Sequence, residues 1–219
     1  GYFLMDWYPE GNHLLVRSKR DHRGPRVDRF FKISSKAIGH EELLFDAHGD
    51  EGRISKNGKV IFQRGGVGVY RKGYKGSQSA QIWLWTDKKF TKLVSEEEGS
   101  RSPRWDADDS SYYYISGKSG AFNLYKRSIN GDDEKKITHF EDDSVMLPSV
   151  SRDGSVIVFR HLAAFYKIDF SKEEIEPEKI VIWNRGERSG SRDEERLEIR
   201  TAGQAVFSKD GLEIAFVAG

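Results

Sequence analysis

One unit recurs five times along this chain, and no other feature constrains the fold as strongly. The unit is an apolar residue, a polar residue, a turn rich in Asp, Asn or Gly, and then a β-branched or aromatic run. The copies read Asp6-Trp7-Tyr8-Pro9-Glu10-Gly11-Asn12 before Leu14-Leu15-Val16, and Arg53-Ile54-Ser55-Lys56-Asn57-Gly58-Lys59 before Val60-Ile61-Phe62. The third runs Pro103-Arg104-Trp105-Asp106-Ala107-Asp108-Asp109 into Tyr112-Tyr113-Tyr114-Ile115, with Asp109 where the others carry Gly. The last two are Pro148-Ser149-Val150-Ser151-Arg152-Asp153-Gly154 before Val156–Phe159, and Ala205-Val206-Phe207-Ser208-Lys209-Asp210-Gly211 before Ile214–Val217. Asn-Gly and Asp-Gly tolerate the positive φ of a tight turn, and the flanking runs have strand composition, so each copy is a β-hairpin.

After four of the five hairpins a third strand is expected, at Phe30–Ile33, Ile82–Trp85, Asn123–Lys126 and Phe165–Ile168. A fourth is expected at Glu42–Phe45, Thr91–Val94, Lys136–Thr138 and Lys179–Ile182. The turn positions Gly11, Gly58, Asp109, Gly154 and Gly211 are spaced by 47, 51, 45 and 57 residues, close to the ~40 to 50 residues of a propeller blade. Aromatic residues at 12% with only 37% hydrophobic content suit thin blades better than a thick helical core. The expected fold is therefore all-β: a β-propeller of four-stranded antiparallel blades, four complete and half of a fifth. Residues 1–219 are read as a single partial propeller, with blades near 1–46, 47–98, 99–141 and 142–184 and a partial blade over 200–219. The chain opens and closes in strand-like segments, so a longer parent is expected.

The motif Pro-x-Trp-Ser-Pro-Asp-Gly, followed by a strand and a Gly-x-x-x-Leu-Tyr segment, resembles the WD40-like (PD40) repeat of TolB and of tricorn-type proteases. Blade three carries it most fully, in Pro103-Arg104-Trp105-Asp106, Tyr112–Ser116, Gly120-Ala121-Phe122-Asn123-Leu124-Tyr125 and Lys136-Ile137-Thr138. Gln81-Ile82-Trp83-Leu84-Trp85 fits the tricorn-like branch. Gly52 and Met5 stand where the family has Pro, and Ile54 and Val150 where it has Trp. The resemblance implies a propeller of six or seven blades in all, non-catalytic, that gates or presents peptides or mediates protein interactions within a larger serine peptidase of the S41 class, whose PDZ and peptidase domains would lie elsewhere. The alternative is a TolB-like interaction propeller of a cell-envelope complex. A third reading is the propeller of an oligopeptidase with an α/β-hydrolase partner.

The residues place limits on chemistry. With no cysteine there is no disulfide, thiolate metal site or cysteine nucleophile, and the composition suits a prokaryotic periplasm and cytoplasm equally. No Gly-x-Ser-x-Gly elbow occurs, and Gly65-Gly66-Val67-Gly68 is not continued by Gly-Lys-Ser/Thr, so it reads as a blade loop. The six histidines, at 13, 22, 40, 48, 139 and 161, form no His-x-x-x-His pair and read as surface or strand-edge residues. Asp106, Asp108 and Asp109 read as turn chemistry rather than a calcium loop. Trp7, Trp83, Trp85, Trp105 and Trp183 read as packing between blades. No catalytic residue, metal or cofactor is expected.

A net charge of +1 gives no global attraction for nucleic acid, and no apolar run reaches the ~20 residues of a membrane span. One local feature is basic: Arg17, Lys19, Arg20, Arg23, Arg26, Arg29 and Lys32 fall in a loop between hairpin and third strand, interrupted by Asp21 and Asp28. It reads either as a solvated loop paired with neighbouring acids or as a site for acidic groups or the C-terminus of a peptide, held by charge-assisted hydrogen bonds. The partners expected are a peptide or protein, the remaining blades and the C-terminal domains of a parent.

Overall fold

The computed structural model describes residues 1–20, 27–36, 41–68 and 71–182, together with the backbone of strands at 202–207 and 214–218. Residues 1–181 form one compact unit and 182–219 a second. The first unit holds four antiparallel four-stranded sheets. These are β1–β4 (Tyr2–Trp7, His13–Ser18, Arg29–Ser34, Glu41–Phe45), β5–β8 (Asp50–Ile54, Val60–Arg64, Gln81–Thr86, Lys89–Ser95), β9–β12 (Ser100–Trp105, Ser111–Ser116, Asn123–Ser128, Glu134–Lys136) and β13–β16 (Val145–Val150, Val156–His161, Ala164–Asp169, Glu178–Lys179). In the second unit β17 (Ala202–Phe207) pairs with β18 (Ile214–Ala218). Each sheet is a meander, and successive sheets meet through their first strands: β1 lies beside β5, β5 beside β9, and β9 beside β13. That is the geometry of propeller blades, with the first strand of each nearest the axis.

The hairpin turns follow from the repeat. Gly11, Gly58 and Gly154 have φ of 72°, 76° and 75°, and Asp109 takes the same left-handed conformation at 57°. Asp, like Asn, tolerates that region better than most side-chain-bearing residues because its short polar group bonds locally, which is why the third copy keeps its turn without glycine. In the fourth copy Asp153 Oδ1 accepts hydrogen bonds from Ser151 Oγ at 2.6 Å, Ser155 N at 3.1 Å and Ser155 Oγ at 2.8 Å. Led by the Ser151 hydroxyl, these pull its carboxyl down to about 2. The sign is that of a depressed acid: the turn gains stability above the ordinary value of 3.8 and loses it as pH falls through about 2. A carbon-detected NMR titration should place the Asp153 midpoint near 2, and Ser151→Ala should raise it; an unshifted midpoint would refute the assignment.

The core is not one mass but three, each between successive blades. Leu15, Phe30 and Phe45 of the first sheet pack on Ile54, Val60 and Phe62 of the second. Ile61, Ile82 and Val94 meet Tyr112, Tyr114 and Tyr125, and Tyr113, Ile115 and Leu124 meet Ile157, Phe159 and Ile168. Strand β10 shows the logic of alternation: all six residues are buried, with Tyr112 and Tyr114 serving one interface and Tyr113 and Ile115 the other.

The outermost strands depart from expectation. In the third blade the ladder covers Glu134–Lys136 rather than Lys136–Thr138, because the Thr138 hydroxyl accepts the Leu124 N–H at 2.9 Å and donates to Asn123 Oδ1 at 2.8 Å. A side chain thus takes over where the backbone ladder stops. In the fourth, pairing is confined to Glu178–Lys179, with one more bond from Ile180 N to Phe165 O, while Val181 and Ile182 are exposed.

Candidate functional site

A bulge in the first strand of each blade sets which side chains face the axis. In the first unit pairing shifts between Leu4 and Asp6, Asp50 and Arg53, Arg101 and Arg104, and Met146 and Ser149; the β17–β18 pair of the second unit has its own shift, between Gly203 and Val206. In three blades the bulge carries a left-handed residue: Glu51 at φ 52°, Ser102 at 53° and Leu147 at 53°. Bulges bend a strand and re-aim side chains, and here Glu51, Ser102 and Leu147 all line one open cavity of 910 Å³. At Gly52 the packing leaves no room for a side chain: an added Cβ would overlap the ring of fully buried Phe30.

The position following each bulge carries a polar group: Asp6, Arg53, Arg104 and Ser149. All four line a second cavity of 440 Å³, and three of them tie neighbouring blades together. Asp6 Oδ2 accepts from Ile54 N at 2.9 Å, and Arg53 Nη1 donates back to Met5 O at 2.9 Å. Arg104 reaches both ways, donating to Pro148 O at 2.7 Å and Glu51 Oε2 at 2.8 Å, while Trp105 Nε1 donates to Arg53 O at 3.1 Å. Burial pulls the Arg104 guanidinium below its ordinary range and the Arg53 charge adds to this, while Glu51 opposes it.

The larger cavity is roofed partly by the loop after β6. Gly65 and Gly66 take φ of 73° and 120°, and Gly66 N donates to Gln78 O at 2.8 Å, closing the loop on itself. Lys72 pairs with Asp143 at 2.5 Å and Lys75 with Glu98 at 2.8 Å, which anchors the loop against the segments entering the fourth and third blades. Below it the cavity is lined by Arg17, Arg101 and Arg160 and by Asp28, Asp50 and Glu51.

The basic run does not form one loop. Arg17 is in β2, paired with Asp50 at 2.6 Å and Asp28 at 3.7 Å; Arg29 is in β3, buried, with Asp46 at 3.4 Å and the Arg20 carbonyl at 2.7 Å. Lys32 also lies in β3, over the Tyr8 ring. Arg20 pairs with Glu41 and donates to Tyr2 Oη, and Lys19 is exposed. Arg23 and Arg26 lie outside the described residues, as does the polar segment 184–196. Of the expected site residues, Arg17 alone among those described lines the larger cavity. Asp106, Asp108 and Asp109 do serve turns: Asp106 and Asp108 bond Ala107 N and Ser110 N, and Asp109 Oδ2 accepts from Lys56 N of the previous blade.

Two readings need correction. His161 is a core residue, 2% exposed, stacked on Phe140 at 3.8 Å and paired with Asp142 at 3.1 Å. Trp7 is half exposed, whereas Trp83, Trp85 and Trp105 pack against the cores; Trp183 is outside the described residues. The repeat is defined by its Pro and Trp positions and does not mark the axial residues Asp6, Glu51, Arg53 and Arg104. For Asp6, Arg53 and Arg104 the signal is the place between those two positions, which alternation sends to the opposite face from the packed ring, whereas Glu51 stands in the bulge before it.

A family model described as the tricorn protease N-terminal β-propeller domain matches residues 1–174. A tricorn protease homolog from Saccharolobus solfataricus is 31% identical over 106 residues, 48% of this chain and 10% of that protein. The tricorn protease of Thermoplasma volcanium is 30% identical over 124 residues, 56% of this chain and 12% of its own length. The chain thus spans about a tenth of the curated relatives it matches. A crystal structure of the tricorn protease shares the fold with a TM-score of 0.70 at 21% identity, over 99% of this chain and 20% of that one. TolB from Acinetobacter baumannii shares it at 0.62 and 13%, over 81% of this chain and 43% of that one. With its four bulged, axially joined blades, the chain belongs to the family of tricorn protease N-terminal β-propeller domains.

Proposed function

We propose that this propeller admits or presents peptides to a serine peptidase domain carried by the same parent protein, and that it takes no covalent part in the reaction. The observation that carries this reading is the 910 Å³ open cavity beside the inner strands, within the ~300–1,000 Å³ typical of ligand sites. Its wall carries both donors and acceptors, with Gln63, Ser77, Gln78 and Ser102 lining it together with the charged groups, which suits the amide groups of an extended peptide. Of the six basic residues expected to bind peptide, Arg17, Lys19, Arg20, Arg23, Arg26 and Arg29, the proposal gives that task to Arg17, because it faces the cavity.

The test is hydrolysis by the full-length parent carrying Ser102→Trp, which fills the cavity from a half-buried position in the bulge. The rate constant kcat/KM for peptides of ten or more residues should fall several-fold, while a small chromogenic amide should be cleaved as before. Equal rates for both substrates, or hydrolysis by this 219-residue chain alone, would refute the proposal. Capture of a folded protein partner without any peptide effect would instead support the TolB-like interaction reading, which rests on the shared fold.

A further inference from the structure

Met146 and Arg160 stand directly opposite each other in the fourth blade, one in β13 and the other in β14. The bulge of β13 begins just after Met146, at Leu147 with its φ of 53°. Both residues are half-buried and both line the 910 Å³ cavity, so the thioether is within reach of small solutes. None of the three cores includes Met146, whereas Met5, the chain's other methionine, packs against the core between the first two blades. Arg160 Nη2 donates to Met146 Sδ at 3.8 Å, a weak bond because a thioether sulfur is a poor acceptor. Arg160 makes no ion pair among the described residues, and its Nε is buried without a hydrogen-bond partner. A guanidinium held against sulfur with donors unspent would be satisfied by an oxygen atom on that sulfur.

We propose that Met146 is a site of reversible oxidation by hydrogen peroxide or a small alkyl hydroperoxide, with Arg160 fixing the handedness of the sulfoxide and holding its oxygen. In the step, a sulfur lone pair attacks the terminal peroxide oxygen; the S–O bond forms as the O–O bond breaks. Sulfur gives up two electrons and the peroxide is reduced. The oxygen that leaves takes up the proton released by the transferred oxygen, and departs as water or an alcohol. Arg160 acts both before and after this step. Beforehand its N–H occupies one side of the sulfur, which leaves the other lone pair open to the oxidant and selects one of the two sulfoxide epimers. Afterwards, rotation about the Cγ–Sδ bond carries the new oxygen, a far better acceptor than the thioether, towards Nη2 and the unpartnered Nε. The guanidinium keeps its charge at any working pH, so the pairing needs no titration. The cavity wall exchanges a flexible apolar group for a polar one that engages Arg160, and a sulfoxide reductase restores the original state. This holds whatever passes through the cavity, so the proposal is independent of the peptide-presenting reading.

Limited treatment of the 219-residue chain with hydrogen peroxide, followed by peptide mass mapping, tests the site with Met5 as the internal standard. Met146 should gain oxygen several-fold faster than Met5. Its sulfoxide should be mainly one epimer, identified by which of the two stereospecific sulfoxide reductases removes it. Met146→Leu, close in volume, should fold as before and take up one oxygen atom fewer. Arg160→Ala, which uncovers both sides of the sulfur, should give nearly equal epimers, and Arg160→Lys an intermediate ratio. The reductase should act about tenfold more slowly on the parent chain's Met146 sulfoxide than on that of Arg160→Ala, the worth of a hydrogen bond to a charged group. If Arg160→Ala does not fold, the epimer ratios of the parent chain and of Arg160→Lys decide the matter. Oxidation of Met146 no faster than that of Met5 would overturn the site. Equal epimers in the parent chain, or a bias that survives Arg160→Ala or is undiminished in Arg160→Lys, would overturn the directing role of Arg160, and equal reduction rates its holding role.

Discussion

Phe30→Ala is expected to destabilise the chain by about 4 kcal/mol, in the range of roughly 3–5 kcal/mol found for a buried Phe truncated to Ala, and to lower its melting temperature by roughly 8–16 °C for a chain of this size. Phe30 is fully buried, and it meets Phe45 at 5.2 Å and Phe62 at 5.5 Å. Phe45 in turn contacts Trp85 at 5.1 Å and Phe90 at 5.4 Å, so the ring is the first blade's share of an aromatic cluster continued by the second. Its edge is seated over two glycines of the segment entering the second blade: a Cβ on Gly49 would stand 2.6 Å from both the Phe30 and Phe62 rings, and one on Gly52 would overlap Phe30. Gly52→Ala should therefore cost about 1–3 kcal/mol through overpacking alone. Its backbone is not in the left-handed region, so no conformational strain is added. The two changes should not add. In the Phe30→Ala background the vacated space accepts the new methyl group, and Gly52→Ala should become nearly neutral or favourable. Thermal unfolding of the four proteins measures this coupling, and strict additivity would show that the ring does not occupy the glycine notch.

Arg104→Met is expected to cost about 3 kcal/mol, at the low end of the roughly 3–5 kcal/mol for breaking a buried ion pair by removal of one partner. Methionine retains much of the volume but none of the donors. Pro148 O would lose its 2.7 Å donor, and Glu51 would be left with Arg53 at 3.6 Å as its remaining cation. Arg104→Lys should fall between, since one ammonium lacks the fork that serves Glu51, Pro103 O and Pro148 O together. A double change of Arg104→Met with Glu51→Gln should cost less than the sum, because the stranded carboxylate is then neutral. Urea unfolding gives the numbers; a loss below about 1 kcal/mol for Arg104→Met would place the residue among solvent-screened surface pairs.

The blades were legible because hairpin chemistry is local. Asn57-Gly58, Asp153-Gly154 and their flanking runs contain all that a turn and two strands require, and the third strands, where apolar alternation is strong, also fell at the expected residues. The outermost strands were harder to delimit. Their residues are largely exposed, so burial imposes little pattern, and a single side-chain bond such as that of Thr138 can end the ladder early. The basic run shows the same limit for charge. Arg17 and Arg29 find Asp50 and Asp46 from beyond the fourth strand, and that pairing exists only once the first blade has turned back and met the second. Arg101 and Arg160 stand 59 positions apart in the chain, in strands whose composition looks ordinary, and only the stacking of blades brings them to one cavity.

The bulged first strands have a bearing on how such a domain can diversify. Glu51, Ser102 and Leu147 occupy matching places with the same backbone conformation, yet one is acidic, one hydroxylic and one aliphatic. Their backbone is held by the ladder on either side, and their side chains belong to no core. Ser102 and Leu147 are thus mutable positions whose chemistry can be exchanged one blade at a time at little cost to folding, whereas Glu51 is tied to Arg104. An inner wall built this way can acquire a new preference for its guests without any change in the scaffold that carries it.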